Sequence, residues 1–480
     1  MKTLSEKQTL FAVLAAIFLY IVLLGGVSAA RHYNFQTQAW DMGIFTQTFW
    51  NIAEGRGAIN SIEEIPNHFG VHMSPILFIL VPGFFIFPSG YYLLIVQTLA
   101  LAFGALPLYL LAKKILGRRD LSLIVPAGYL LYPSLHSVNF FDFHPIAFLI
   151  PALLAAFYFF YEKKWLWFWI FMILAASAQE DAVLTVMFAG LFLAVIHPTE
   201  IKARKMGLLA ALAALIYFIV SIKIVMPYFG GGLLRIDRYA ALGGSAGEIS
   251  RNLIVNPLLF LKTAFSAPKL KYLFWIFLPA AFLPLAYPAS ILLLIPGLAE
   301  NLLTSFKNQF SGFYQYDSML IAGIFIAGIY GLKGLLNRFP NKILRFKRVL
   351  LMAILAGFLF RSPISPFSFP AGLFKSNEHQ LTLRRIVKNI PSGVSVAAQT
   401  NILPHLSDRE KIYMAGSEPF MTDIVVIDGA DFFGFKDPQH FSDYADSYAY
   451  SGKYDIEIIK ERYIVFTKKN EAAAPSKNFQ

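Results

Sequence analysis

Apolar residues along this chain come in long unbroken blocks instead of alternating with polar ones. The first runs from Leu10 to Val27, behind Lys2 and Lys7. Others cover 91–112, 121–138, 145–161, 165–179, 182–197, 207–227, 272–286, 288–303, 317–336 and 347–362, with a shorter one at 75–88. A helix needs about twenty apolar residues to cross some 30 Å of hydrocarbon. Most of these blocks are therefore predicted to span a membrane, and 75–88 to enter and leave on the same side. The first block ends in Val27-Ser28-Ala29, which resembles a signal-peptidase site. Its length exceeds a usual signal core, so it is read as a retained span. Several blocks contain proline, as in Leu278-Pro279 and Leu283-Pro284, which membrane helices tolerate when neighbours or water satisfy the freed carbonyls.

Charge orients the blocks. Lys113-Lys114 with Arg118-Arg119, Glu162-Lys163-Lys164, Lys202 to Lys205, and Lys333 to Arg348 are basic clusters in short connections. Short basic connections stay on the cytoplasmic side. With the N-terminus inside, alternation holds if 272–303 is a tight two-helix hairpin turning near Tyr287-Pro288, for a total of about eleven spans. The outer face then receives 31–74, 139–144, Gln179-Glu180-Asp181, 228–270, 304–316 and everything after about 363. The loop 228–270 carries Gly230-Gly231-Gly232 and Gly243-Gly244 and is expected to be mobile.

The pattern changes after about 376. His379 to Asn389 reads as a helix ended by Pro391-Ser392-Gly393, while 394–398, 423–428 and a closing hairpin through 458–459 and 463–466 read as strands. The predicted fold is an α-helical polytopic membrane domain over 1–365, followed by a small α/β extracytoplasmic domain over 376–468 and a disordered tail over 469–480. The expected location is a cell (inner or plasma) membrane.

Composition agrees: 57% of residues are apolar and 15% charged, against about 25% charged in soluble domains. The net charge of +12 gathers at span ends, so it sets topology and does not point to nucleic acid, for which no basic aromatic platform is present. The absence of cysteine excludes disulfides, thiolate metal sites and a cysteine nucleophile.

Polar residues near membrane depth are the candidates for chemistry. Asp41 lies in Ala39-Trp40-Asp41-Met42-Gly43-Ile44-Phe45, read as a partly buried helix in which Asp41 and Thr48 share a face. His68 and His72 are four apart, so a helix there would bring them together as metal ligands or substrate contacts. Asp142 and His144 sit among phenylalanines at a span mouth, and Glu180 and Asp181 at a helix mouth. Adjacent acids suit divalent-metal binding or general-base work. Tyr314, with Tyr316, Asp317 and Glu300-Asn301, approaches the same face. The plain alternatives stand beside each: a loop cap at Asp41, interfacial anchors at the histidines and at Phe141–Pro145, and an ordinary polar turn at Glu180-Asp181.

Asp41-Met42-Gly43-Ile44-Phe45 with Phe49-Trp50-Asn51, His68-Phe69 through His72-Met73-Ser74-Pro75, Phe141-Asp142-Phe143-His144-Pro145, Glu180-Asp181, and Leu403-Pro404-His405-Leu406-Ser407-Asp408-Arg409 together resemble an uncharacterised family of bacterial and archaeal membrane proteins related to the class C (GT-C) membrane glycosyltransferases. The resemblance covers nearly the whole chain. It implies a GT-C-like fold, a polyprenyl-phosphate-linked sugar donor, transfer to an acceptor on the outer face, and an acid in the first outer loop as base or metal partner, the place Asp41 occupies. Glu180 and Asp181 would join it in catalysis. His72, Asp142 and Glu180 would hold a divalent metal (Mg, Mn or Zn), and Asp142, His144, His68, Arg235, Arg238 and Tyr314 would contact substrate. This chain departs from the GT-C pattern in having a lone Asp41 and not a tight acidic pair. Two other functions remain open from sequence: a transporter or lipid flippase, and a non-catalytic scaffold displaying the tail domain.

Overall fold

The computed structural model describes residues 5–375 and 377–469. It is mostly helical, with one five-stranded sheet near the C-terminus. Among the described residues, five helices are long and apolar enough to cross a membrane: Glu6–Tyr33, Gly90–Leu116, Arg119–Phe140, Ile201–Tyr228 and Gln315–Arg338. Shorter apolar helices cover Ile76–Ile86, Pro145–Tyr161, Trp165–Ala176 and Pro288–Leu303. Most of the apolar blocks are thus helices at the expected places. The expected tail at 469–480 lies, from 470 onward, outside the described residues.

One block, 272–286, is not a continuous helix. The helix Ala267–Phe277 stops short, and the chain continues through three short 3-10 turns, Leu278–Ala280, Leu283–Ala286 and Pro288–Ser290. Pro279, Pro284 and Pro288 each remove a backbone donor, which breaks the ladder of a continuous helix. Ala281 and Phe282 turn the chain through left-handed backbone, at φ 50° and 55°. The two limbs of the hairpin expected across 272–303 do fold back on each other, since Lys269 bonds to the carbonyls of Leu302 and Thr304 and Asn301 bonds to the Tyr272 hydroxyl, but the first limb is an α-helix only as far as Phe277. The loop 228–270 also differs from expectation, because it holds the helices Ala246–Val255 and Pro257–Ala264. Its glycines serve a close approach: the Gly232 amide donates to the Gly70 carbonyl at 3.1 Å, and a β-carbon on Gly231 would collide with that same carbonyl.

The chain forms two compact units. Among the described residues, the first comprises 5–28, 69–76 and 94–370; the second comprises 29–68, 77–93, 371–375 and 377–469. The first unit has one continuous apolar core running through its helices.

In the second unit the strands β1 (Val396–Ala398), β2 (Ile412–Met414), β3 (Ile424–Asp428), β4 (Tyr454–Ile459) and β5 (Tyr463–Lys468) are ordered β2-β1-β3-β5-β4. The pairs β1–β2 and β1–β3 are parallel, while β3–β5 and β5–β4 are antiparallel. All five residues of β3 are buried, as a central strand requires. The helix Glu378–Asn389 starts in a capping box: the Asn377 side chain accepts from the Gln380 amide at 2.9 Å, and the Gln380 side chain accepts from the Asn377 amide at 3.3 Å. Strand β2 and the helix Pro438–Ala449 are additions to the elements read from the sequence.

The first loop belongs to this same unit. Gln47 donates to the carbonyls of Arg409 and Glu410 at 3.3 and 3.0 Å. The Ser61 hydroxyl donates to the Ile412 carbonyl at 2.6 Å and accepts from the Ile412 amide at 3.2 Å. These bonds extend the sheet domain with a segment more than three hundred residues away in sequence.

Candidate functional site

In the first unit, Gln179 stands before the helix Glu180–Ile196, which opens with two acids in its first turn. Carboxylates are favoured there by the aligned amide dipoles. Glu180 is buried, 3% exposed. One of its oxygens accepts from His72 Nδ1 at 2.8 Å, the other from the Met73 amide at 2.8 Å. The Ile76 amide, bonded to the Ser177 carbonyl at 3.0 Å, ties the same two segments together. Asp181 accepts from the Gln179 side chain at 3.2 Å. Asp181, Glu300 and Arg238 lie within electrostatic reach of one another, and Glu180 joins them. Glu300 accepts from Gln309 at 3.0 Å through its carboxylate and from the Tyr239 hydroxyl at 3.2 Å through its carbonyl. The Arg238 guanidinium stacks on Phe306 at 4.6 Å and reaches Tyr316 at 5.7 Å. This first unit therefore gathers three carboxylates, one imidazole and one guanidinium around the start of a single helix. Arg235 is exposed in the loop before Arg238.

Asp142 and His144 are both buried. Gln97, from the helix Gly90–Phe103, organises them. Its amide nitrogen donates to the carbonyls of Val138 and Asp142 at 3.3 and 3.2 Å, and its oxygen accepts from the His144 amide at 2.8 Å. His144 Nδ1 donates to the Asp142 carbonyl at 3.1 Å. The ring stacks on Phe141 at 5.5 Å, and Phe141 meets Tyr314 edge-on at 4.9 Å.

In the second unit, Asp41 sits on a π-helical turn, Ala39–Gly43, that leads into the helix Ile44–Ala53. Such turns carry one extra residue and are frequent at functional sites. Met42 and Gly43 are buried while Asp41 is half-buried. Thr48 is buried and accepts from Asn60 at 2.9 Å, so it does not share an open face with Asp41. A β-carbon on Gly43 would run into the side chain of Leu403, with Ser407 close behind. The Leu403–Arg409 motif is thus the seat of the Asp41 turn. His68 is fully buried and pairs with Glu63 at 3.0 Å. The helix carrying it ends at Val71, so His72 lies beyond it. The expected shared helical face of His68 and His72 is not formed, because each histidine pairs with a different carboxylate.

The divalent-metal expectation can be tested on this geometry. Both oxygens of Glu180 are already engaged by His72 and Met73. Among the described residues, no three His, Asp or Glu side chains are grouped to hold a metal ion. The set His72, Asp142 and Glu180 does not fit a bound cation in this arrangement.

Two contributors lie outside the residues singled out from the sequence, Gln97 and Gln309, while the sequence places Glu300 near this face without a role. Gln97 and Glu300 each interrupt an apolar block, and a polar side chain in such a block is the signal that points to them.

A family model described as predicted membrane protein (DUF2079) matches residues 31–464. No curated protein matches the chain in sequence. Two crystal structures of ArnT from Cupriavidus metallidurans are similar to it. The apo structure is 13% identical at a TM-score of 0.49, with 96% of this chain and 99% of that chain covered. The structure bound to undecaprenyl phosphate is 9% identical at a TM-score of 0.47, with the same coverage.

Proposed function

The chain belongs to the DUF2079 family of predicted membrane proteins, and from that premise we propose that it is a GT-C-like membrane glycosyltransferase. It takes a sugar from a polyprenyl-phosphate donor and passes it to an acceptor hydroxyl on the outer face, in a chain of about eleven crossings with its tail domain on that same side. The observation that supports this reading is the charged cluster at the start of the helix Glu180–Ile196. Transfer from a lipid phosphate needs a cation for the departing phosphate and acids for proton movement, and the cluster holds both kinds.

Roles are assigned in each unit on its own observations. In the first, Arg238 offers a planar fork that matches phosphate, and Arg235 in the same loop adds charge. Glu180 fixes the tautomer and ring orientation of His72. Asp181 is the acid beside it, and His144, held by Gln97 and Asp142, faces substrate with Tyr314. In the second, Asp41 deprotonates the acceptor hydroxyl, with His68 fixed by Glu63 nearby in the chain. The acceptor oxygen forms the new bond to the anomeric carbon, the bond from that carbon to phosphate oxygen breaks, and polyprenyl phosphate leaves.

The test is turnover of lipid-linked sugars by the full-length protein in nanodiscs. Asp41→Asn and Glu180→Gln are each expected to lose roughly a hundredfold or more in rate. Wild-type rates in both variants would sink the assignment. Lipid translocation is the second reading, and it rests on the broken stretch 278–290. It would show as lipid flux in proteoliposomes without any sugar release.

A further inference from the structure

At its basic end the helix bundle of the first unit holds a cavity that none of these roles uses. Its volume is about 330 Å³, far above the roughly 10–15 Å³ that one buried water requires. Ala281 and Leu283 of the broken stretch form one side, and the helices Ser318–Arg338 and Ile343–Arg361 the others. Phe346 and Val349 give it an apolar wall, and Lys342 and Arg345 line it with charge.

Three independent features meet here. First, Ala281 and Phe282 adopt consecutive left-handed conformations without being glycine. A β-carbon makes such a conformation strained, and backbone of this kind clusters at ligand clamps. Second, the stretch leaves helical hydrogen bonding within an apolar bundle. Such backbone is tolerated only where it is packed in protein or lines a cavity. Gly331 provides the packing, since a β-carbon there would collide with the Leu283 carbonyl. Third, Lys333 to Arg348 contains six basic residues and no acid. Lys347 is paired with Asp120. Lys342 lies over the Phe339 ring at 4.9 Å, and among the described residues neither it nor Arg345 has a carboxylate partner. Two cations therefore border an apolar recess, which is the complement of an amphiphile with an anionic head.

We propose that this cavity binds an anionic phospholipid, with the phosphate on Lys342 and Arg345 and an acyl chain along Leu283, Phe346 and Val349. Basic pockets between membrane helices recognise phosphate headgroups in this way. The site is separate from the sugar-transfer roles and does not depend on them.

Native mass spectrometry of the full-length protein, delipidated and then supplied with phosphatidylglycerol or phosphatidylcholine, reads the binding directly. Phosphatidylglycerol is expected to be retained preferentially. The double variant Lys342→Ala/Arg345→Ala should bind it roughly thirtyfold more weakly, at about one kcal/mol per cation. Val349→Trp, which fills the apolar wall and keeps both charges, should weaken it as well. Lys202→Ala/Lys205→Ala removes equal charge from the helix Ile201–Val220, none of whose residues lines the cavity, and should leave retention unchanged. Equal retention of the two lipids, an equal loss in the Lys202/Lys205 control, or displacement by inorganic phosphate would each overturn the proposal.

Discussion

Glu180 is a buried carboxylate that accepts from His72 and from the backbone amides of Met73 and of Glu180 itself, and His72 alone among these can carry charge. Replacing His72 with Ala leaves the carboxylate with backbone amides only. The expected cost is about 1–2 kcal/mol, kept modest because the imidazole is 31% exposed. A fall of a few degrees in the melting temperature of the full-length protein would be the readout, and an unchanged Tm would show that the pair carries no stability. In the tail domain, burial, the stacked His32 ring at 4.2 Å and the Arg384 guanidinium hold His405 well below the usual imidazole range. His405 stays neutral in the fold, whereas the unfolded chain takes up a proton below about pH 6.5. Its contribution is therefore flat above about pH 6.5, and stability falls as the pH drops below that value. Melting curves from about pH 8 to pH 5 should show this slope, and His405→Phe should make it shallower. The sequence singled out Glu180 and His72 because charge is costly near apolar blocks. It could not reveal that they pair with each other, since the four-residue spacing to His68 is local and the bond to Glu180 spans a hundred residues.

Among the elements, the π-turn at Ala39–Gly43 shows most clearly what a sequence pattern leaves out. Hydrophobic periodicity suggested an irregular helix but not the extra residue that sets Asp41 apart from the buried face. Gly43 faces a Leu403 side chain that is fully buried, so Gly43→Val overpacks the seat and should cost about 1–3 kcal/mol. Limited proteolysis within 36–68, compared with the wild type, would detect the loosened loop. Removing 371–480 should expose the same segment more strongly, because Gln47 and Ser61 then lose their backbone partners; equal protection in the truncated chain would contradict this. The helix over 379–389 and the apolar run of β3 were legible, as their signals are local. Strand β2 has only three residues, and the helix Pro438–Ala449 buries Tyr448 alone, so neither leaves a readable stripe. The break at 278–290 escaped notice for another reason: hydropathy records how apolar a segment is, not the path of its backbone.

At the scale of the whole molecule, apolar block length and the basic clusters carried the membrane assignment, and the family match agrees with it. Sidedness remains a prediction with a simple test, because the chain has no cysteine of its own. Single cysteines at Lys163 or Asn341 should react with an impermeant maleimide only from the cytoplasmic side. Cysteines at Asp237 or Lys453 should react only from the outside. The reverse pattern would invert the topology. The makeup of the second unit also imposes a schedule on biosynthesis. The segment 29–68 leaves the ribosome some three hundred residues before the strands that receive it. At about 5–20 residues per second, that interval is roughly 15–60 s. Throughout it, the loop bearing Asp41 has neither the backbone of 409–412 to bond nor the side chain of Leu403 to rest on. Docking of this loop is thus a late, post-translational event. A nascent chain that stalls before residue 371 presents an orphaned segment to membrane quality-control proteases, which a finished chain does not.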